Sequence, residues 1–268
     1  MEKIAFNISL FSYLAASLGY FLYLVYRKPV VSTLATATVG AGLLSHTVWL
    51  GLRSMKTGHG PYTTNFEIAM FFAWVIVVVY FLTEWKYKIK DLGAFVIPMA
   101  FLALLFSVFM SQEAALVEET ETFWLTLHRT LSVIGYAAFT IAFAVAIMYL
   151  IQENQVKSKK LGIMYFRMPS LEVLDKLNDK VITIGFPLFT LGFMTGPLWT
   201  AKMNQSFFSW DITKTWPLVI VWIIYGYLFF GRLFAGIRGK KAAQGAVLGF
   251  VMVVLTYFLH VRTWRTLI

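Results

Sequence analysis

Residues 124–151 read WLTLHRTLSVIGYAAFTIAFAVAIMYLI, and the reading of this stretch decides the fold. After Arg129 no charged side chain follows until Glu153, and the run is continuously apolar instead of alternating with period two. A helix crosses the hydrocarbon of a bilayer with about 20 such residues. A barrel strand would alternate, so the pattern favours a transmembrane helix. Working outward, seven further stretches of this kind lie at approximately 4–26, 31–52, 66–83, 92–110, 181–201, 215–236 and 242–262. The first is longer than the apolar region of a secretion signal and reads as a retained span. The sequence therefore predicts an all-α, polytopic integral membrane protein of about eight transmembrane helices. The connecting segments are short, so residues 1–268 read as a single membrane domain.

Composition agrees. The chain is 59% hydrophobic and 13% charged, against about 45–50% and about 25% in soluble domains, which excludes an ordinary soluble enzyme. With the N-terminus outside, fifteen Lys and Arg fall on inner segments and seven on outer ones, leaving Arg129 inside the fifth span. That bias sets both termini on the outer, extracytoplasmic side. The net charge of +10 thus reports topology and not a nucleic-acid partner. The chain has no cysteine, which excludes disulfides, thiolate metal sites and a cysteine nucleophile. Residues 152–180 read either as a solvated connector or as an interfacial helix with Leu171, Val173, Leu174 and Leu177 facing lipid.

The four histidines, His46, His59, His128 and His260, all fall on the outer side or the outer half of a span. Ionisable groups inside a membrane are costly and mark function, although each imidazole taken alone also reads as plain packing. His128 shares a helix face with Ser132 and Gly135. His260 lies on a face with Gly249, and Gly245 and Gly249 form a small-xxx-small pair that admits a neighbouring helix or a flat ligand. Imidazole is the usual axial donor to haem iron. Trp199, Phe207, Phe208, Trp210 and Trp216 are candidates for an aromatic wall, and Arg129, Lys214 and Arg262 for partners of propionates. No span carries two histidines, which argues against a transmembrane electron wire and for one site at the outer surface.

Gly196-Pro-Leu-Trp199, Ser209-Trp210-Asp211 and Thr215-Trp216 resemble the tryptophan-rich WWD segment of the haem-handling cytochrome c assembly proteins of CcsA/CcmC/CcmF type, with CcsA most similar. Leu127-His128 followed by Gly135-Tyr136-Ala137, and Gly60-Pro61 through Glu67 to Phe71-Phe72-Ala73-Trp74, extend the likeness over most of the chain. The resemblance implies haem b, held non-covalently on the outer face and presented for attachment to apocytochrome c. His128 and His260 would be the axial ligands of the iron, and His46 an intramembrane histidine guiding haem. Trp199, Phe208, Trp210, Asp211 and Trp216 would belong to a WWD-like loop of about 196–216, with Arg129 beside it. A ResB/CcsB-like membrane partner with an outer soluble domain is implied, in a bacterial-type plasma membrane. If there is catalysis, the resemblance places it in a haem lyase assembly shared with that partner. Asn204, Gln205, Phe208 and Phe229 depart from the family pattern, Phe229 standing where a second intramembrane histidine is expected. A diverged subunit or regulator of a respiratory or quinone-linked complex is the alternative, and a small-molecule permease a more distant one.

Overall fold

Every regular element among the described residues is helical in the computed structural model. It describes residues 1–110, 123–159, 162, 165–202 and 212–265, with side chains apart from those of 200–202, 212–214 and 257–265. The helices are α1 (Glu2–Tyr26), α2 (Pro29–Thr57), α3 (Asn65–Tyr87), α4 (Gly93–Ser107), α5 (Phe123–Ser158), α6 (Leu171–Lys202), α7 (Ile212–Ala235) and α8 (Lys240–Arg265), with a 3-10 turn at Lys90–Leu92. Among the described residues six segments are long and apolar enough to cross a membrane: α1, α3, α4 with its preceding turn, α5, α6 and α7. The apolarity of α2 is diluted by serine, threonine and glycine as well as by His46 and Arg53. The protein is a polytopic, all-helical membrane protein.

The chain divides into two compact units. Unit 1 comprises Met1–Leu116 with Gln155–Pro169, and unit 2 comprises Val117–Asn154 with Ser170–Ile268. In unit 1, α1 and α2 form a tight antiparallel pair. Arg27 closes α1 in the left-handed region (φ 57°), and Pro29 opens α2 where its missing N–H costs nothing. Gly58, at φ 75°, ends α2 in a conformation that other residues adopt at a cost. Thr64 begins α3 with a capping box, its hydroxyl accepting from Glu67 N while the Glu67 carboxylate accepts from Thr64 N. Large apolar side chains such as Phe11, Leu34 and Leu44 point outward, while Ser9, His46, Glu67 and Glu84 are buried. That is the distribution expected where the solvent is lipid.

Unit 2 is held by close helix approach and aromatic packing. A Cβ at Gly192 would lie 2.6 Å from Ser132 N, and one at Gly135 would lie 2.6 Å from Phe189 Cβ, so α5 and α6 cross with little between them. Phe139 stacks on Tyr225 with centroids 3.5 Å apart. The Gly245/Gly249 pair on α8 receives α7, since Cβ atoms there would meet Leu228 and Tyr225 at 2.6 and 2.7 Å. A helix, not a flat ligand, fills that notch. Residues 171–180 are neither a loop nor a separate interfacial helix. They are the first turns of α6, with Leu174 and Leu177 buried against protein. Asp175 fixes the other side of this end by a bidentate pair with Arg232 (2.9 and 3.0 Å) and a bond from Gly239 N.

Candidate functional site

His128 lies near the start of α5, where the sequence is apolar enough to insert yet retains this imidazole and Arg129. Its Nδ1 is 2.7 Å from the carbonyl oxygen of Gly192 on α6. A carbonyl only accepts, so Nδ1 is the donor in this bond. This is the arrangement by which metal-binding imidazoles are oriented, one nitrogen donating to the protein so that the other can donate to a metal. The sequence of α6 makes it possible. Gly192 and Gly196 fall one turn apart on the face that meets α5, and a Cβ at Gly196 would stand 3.2 Å from His128 Cε1 and Nδ1. Pro197 cannot donate the helical bond to residue 193, which opens the α6 backbone beside the carbonyl that His128 uses. The same Gly192 oxygen also accepts from Thr195 Oγ1 at 2.7 Å.

Trp199 follows Gly196 by one turn on α6. Its Nε1 is buried and has no hydrogen-bond partner among the described residues. A buried indole N–H without an acceptor is costly and marks a place for one. Trp216, at the start of α7, is 45% exposed. Arg129 adjoins His128 in sequence and is partly shielded from solvent. The structure therefore brings His128 together with Gly192 and Gly196, residues that the sequence reading had not paired with it. The signal was available in the one-turn spacing of the two glycines. His260 lies on α8, with its side chain outside the described residues; Phe208, Trp210 and Asp211 lie outside them altogether.

His46 belongs to unit 1 and is fully buried on α2. Its Nδ1 is 3.3 Å from Tyr13 OH, its ring edges onto Trp49, and its Nε2 has no partner among the described residues. Gly42, one turn before it, leaves the space that the Tyr13 ring occupies. His59 turns into its own loop, with Nδ1 2.9 Å from Gly60 O and 3.0 Å from Thr63 Oγ1. Sequence reasoning missed two buried polar clusters of unit 1, one near each end of α3. Arg53 pairs with the buried Glu67 at 2.7 Å, and Glu84 accepts from Tyr20, Tyr80 and Thr36 at 2.9, 2.6 and 2.8 Å. Among the described residues no group of three His, Cys, Asp or Glu is placed to hold a metal ion by itself.

Residues 62–268 match the family model described as cytochrome C assembly protein. The chain belongs to this family. It is 27% identical over 272 residues to the cytochrome c biogenesis protein CcsA of Guillardia theta, covering 94% of this chain and 90% of that protein. It is 26% identical over 313 residues to the CcsA of Synechocystis, covering 96% and 93%, and 30% identical over 227 residues to that of Chlamydomonas reinhardtii, covering 82% and 63%. The family match takes in His128, Trp199, Trp216 and His260, whereas His46 lies before it.

Phe229 of α7, where a second intramembrane histidine was expected from the family pattern, packs at 5.2 Å from Phe186 and 5.1 Å from Phe230. Its neighbours there form an aromatic cluster of Phe186, Phe229 and Phe230.

Proposed function

We propose that this chain is a haem-handling protein of cytochrome c biogenesis, binding haem b non-covalently and presenting it on the extracytoplasmic face of a bacterial-type plasma membrane to apocytochrome c. One observation carries the reading: His128 is pinned through Nδ1 to Gly192 O at 2.7 Å, which orients the ring in the way metal-binding imidazoles are oriented. The residues fit the group in a second respect, since the buried Trp199 Nε1 lacks an acceptor among the described residues and a propionate would supply one. Haem, when bound, would supply an iron that accepts imidazole nitrogens and vinyl groups for the thiols of the acceptor protein.

The chain's own residues orient and shield. His128 and His260 would each offer an imidazole to the iron. Trp199 and Arg129 hold carboxylates, while Phe208, Trp210 and Trp216 exclude water from the ring and Asp211 completes the loop. His46 offers a further imidazole within unit 1. The chain contains no cysteine, so the thiols of the attachment reaction come from the apocytochrome. A ResB/CcsB-like membrane partner with an outer soluble domain is the complement that would receive the apocytochrome. The excess of basic residues on the opposite segments supports this orientation.

The test is a reduced-minus-oxidised spectrum and pyridine haemochrome assay on the purified chain, beside His128→Ala and His260→Ala. The parent is expected to show low-spin haem b, and each variant to lose it or become high-spin. A parent that takes up no haem, even after loading, would contradict the proposal.

A further inference from the structure

The imidazole of His46 lies inside unit 1, and the polarity of its hydrogen bond follows from counting hydrogens. Gly42 and His46 lie one turn apart on α2 and meet α1. A Cβ at Gly42 would stand 2.7 Å from Tyr13 Cε1 and 2.8 Å from Ser12 Cβ, so glycine makes the room that the Tyr13 ring occupies. Ser45 Oγ donates to Ala5 O at 3.0 Å across the same two helices and helps to fix their register. The Tyr13 hydroxyl is thereby set 3.3 Å from His46 Nδ1, with the ring centroids 5.9 Å apart, and Trp49 meets the imidazole edge to face at 6.3 Å. Tyr13 and His46 are both wholly buried.

Among the described residues Nδ1 is the one hydrogen-bond partner of the Tyr13 hydroxyl, and Nε2 of His46 has none. A phenol brings one hydrogen, and a neutral imidazole brings one more. If the phenol donates to Nδ1, a single buried group, the Nε2–H, is left without a partner. If Nδ1 donates instead, two are left, the phenol hydrogen and the Nε2 lone pair. With both ring nitrogens protonated, two hydrogens are again unpaired, and a cation is buried with no carboxylate paired to it among the described residues. Each buried polar group without a partner is costly, so the count favours the phenol as donor. His128 is set the other way, since there the same ring nitrogen donates, to a carbonyl.

We propose that Tyr13 is a positioning residue for His46: its hydroxyl donates to Nδ1 and holds the ring as the Nε2–H tautomer. The imidazole then meets whatever lies beside it as a hydrogen-bond donor. Nε2 becomes a metal ligand only after its proton passes to Nδ1 or is lost, and where it passes to Nδ1 the Tyr13 oxygen turns from donor to acceptor. The chain thus holds two imidazoles bonded with opposite polarity at Nδ1, one in each unit. The inference deepens the role given to His46 in the proposed function and rests on that reading for its purpose, while the tautomer belongs to the chain alone and is read without haem.

Nitrogen NMR of the haem-free, full-length chain in detergent, isotopically labelled at histidine, tests the proposal. His46→Gln assigns the two resonances by their loss. In the parent, His46 is expected to show a protonated Nε2 and an unprotonated, hydrogen-bonded Nδ1. Tyr13→Phe deletes the donor, and the Nδ1 resonance is expected to leave its parent position while the melting temperature stays near that of the parent. A side chain that only packed against the imidazole would leave Nδ1 in place when its hydroxyl is removed. Where Tyr13→Phe does not fold, Gly42→Ala takes its place, pressing on the Tyr13 ring without removing the hydroxyl, with the same shift expected. A protonated Nδ1 on His46 in the parent, or an Nδ1 resonance unmoved in the variant used, overturns the proposal. A parent in which no histidine pairs an unprotonated Nδ1 with a protonated Nε2 overturns it even if no variant folds. These samples hold no haem, so such a result leaves the haem-handling reading standing, and a parent that takes up no haem leaves the tautomer standing.

Discussion

In unit 1 the buried carboxylates are saturated: Glu67 holds Arg53 and two backbone N–H groups, and Glu84 accepts from three hydroxyls. In unit 2 the α5/α6 crossing is built instead from glycines and aromatic rings, and the Nδ1 of His128 is held there by a backbone carbonyl. The difference separates buried groups that only hold helices together from one that this bond orients. Carboxylates saturated in this way hold helices in register in lipid and have no acceptor left for a ligand. The proposed site draws instead on an imidazole oriented by a backbone carbonyl and on an indole N–H, that of Trp199, which is buried without an acceptor among the described residues.

The contrast breaks most visibly at Glu67. Replacing it with Ala leaves Arg53 buried without its partner, and the expected loss is about 3–5 kcal/mol, read as a fall in thermal stability in detergent. Arg53→Met with Glu67→Leu should restore much of that loss. Lys176→Ala, which breaks an exposed i,i+4 pair with Glu172, should cost no more than about 1 kcal/mol. If the two single variants behave alike, the saturated core is not what holds unit 1. Gly192→Ala ranks next, because its Cβ would press on Ser132 N at 2.6 Å. Separating α5 from α6 is expected to cost about 1–3 kcal/mol, with haem lost together with the fold. Tyr80→Phe removes one of the three hydroxyls on Glu84, for about 0.6 kcal/mol and no change in haem content. Gly196→Ala has the smallest expected effect on stability, since its Cβ meets only the imidazole edge, at 3.2 Å. It should lower haem retention in a chain that melts near the parent, and unchanged retention would remove Gly196 from the site.

Much of this architecture could be read before any coordinates. The helices were legible because continuous apolarity leaves few alternatives in a bilayer, and their bounds fall within a few residues of the stretches read from sequence except where charge obscured them. The start of α6 at Leu171 and the last turns of α5 carry lysines and carboxylates, which resemble a loop when hydropathy alone is read. His128 was legible as a candidate, but its orientation was not. The bond to Gly192 joins residues 64 positions apart and depends on the register of two helices, which no local pattern encodes. The Arg53–Glu67 pair spans a loop in the same way, although the capping box Thr64-x-x-Glu67 gave a local hint that Glu67 turns back on its own helix. For His260, Trp210 and Asp211 the sequence reading stands as the proposal.

The central claim is that Nε2 of His128 is the donor which the rest of the α5/α6 crossing exists to present. His128→Gly, loaded with haem in the presence and absence of free imidazole, tests it most directly by visible spectroscopy. The account predicts that the glycine variant loses the low-spin spectrum and that added imidazole restores it. A glycine variant whose haem spectrum matches the parent without imidazole would contradict it.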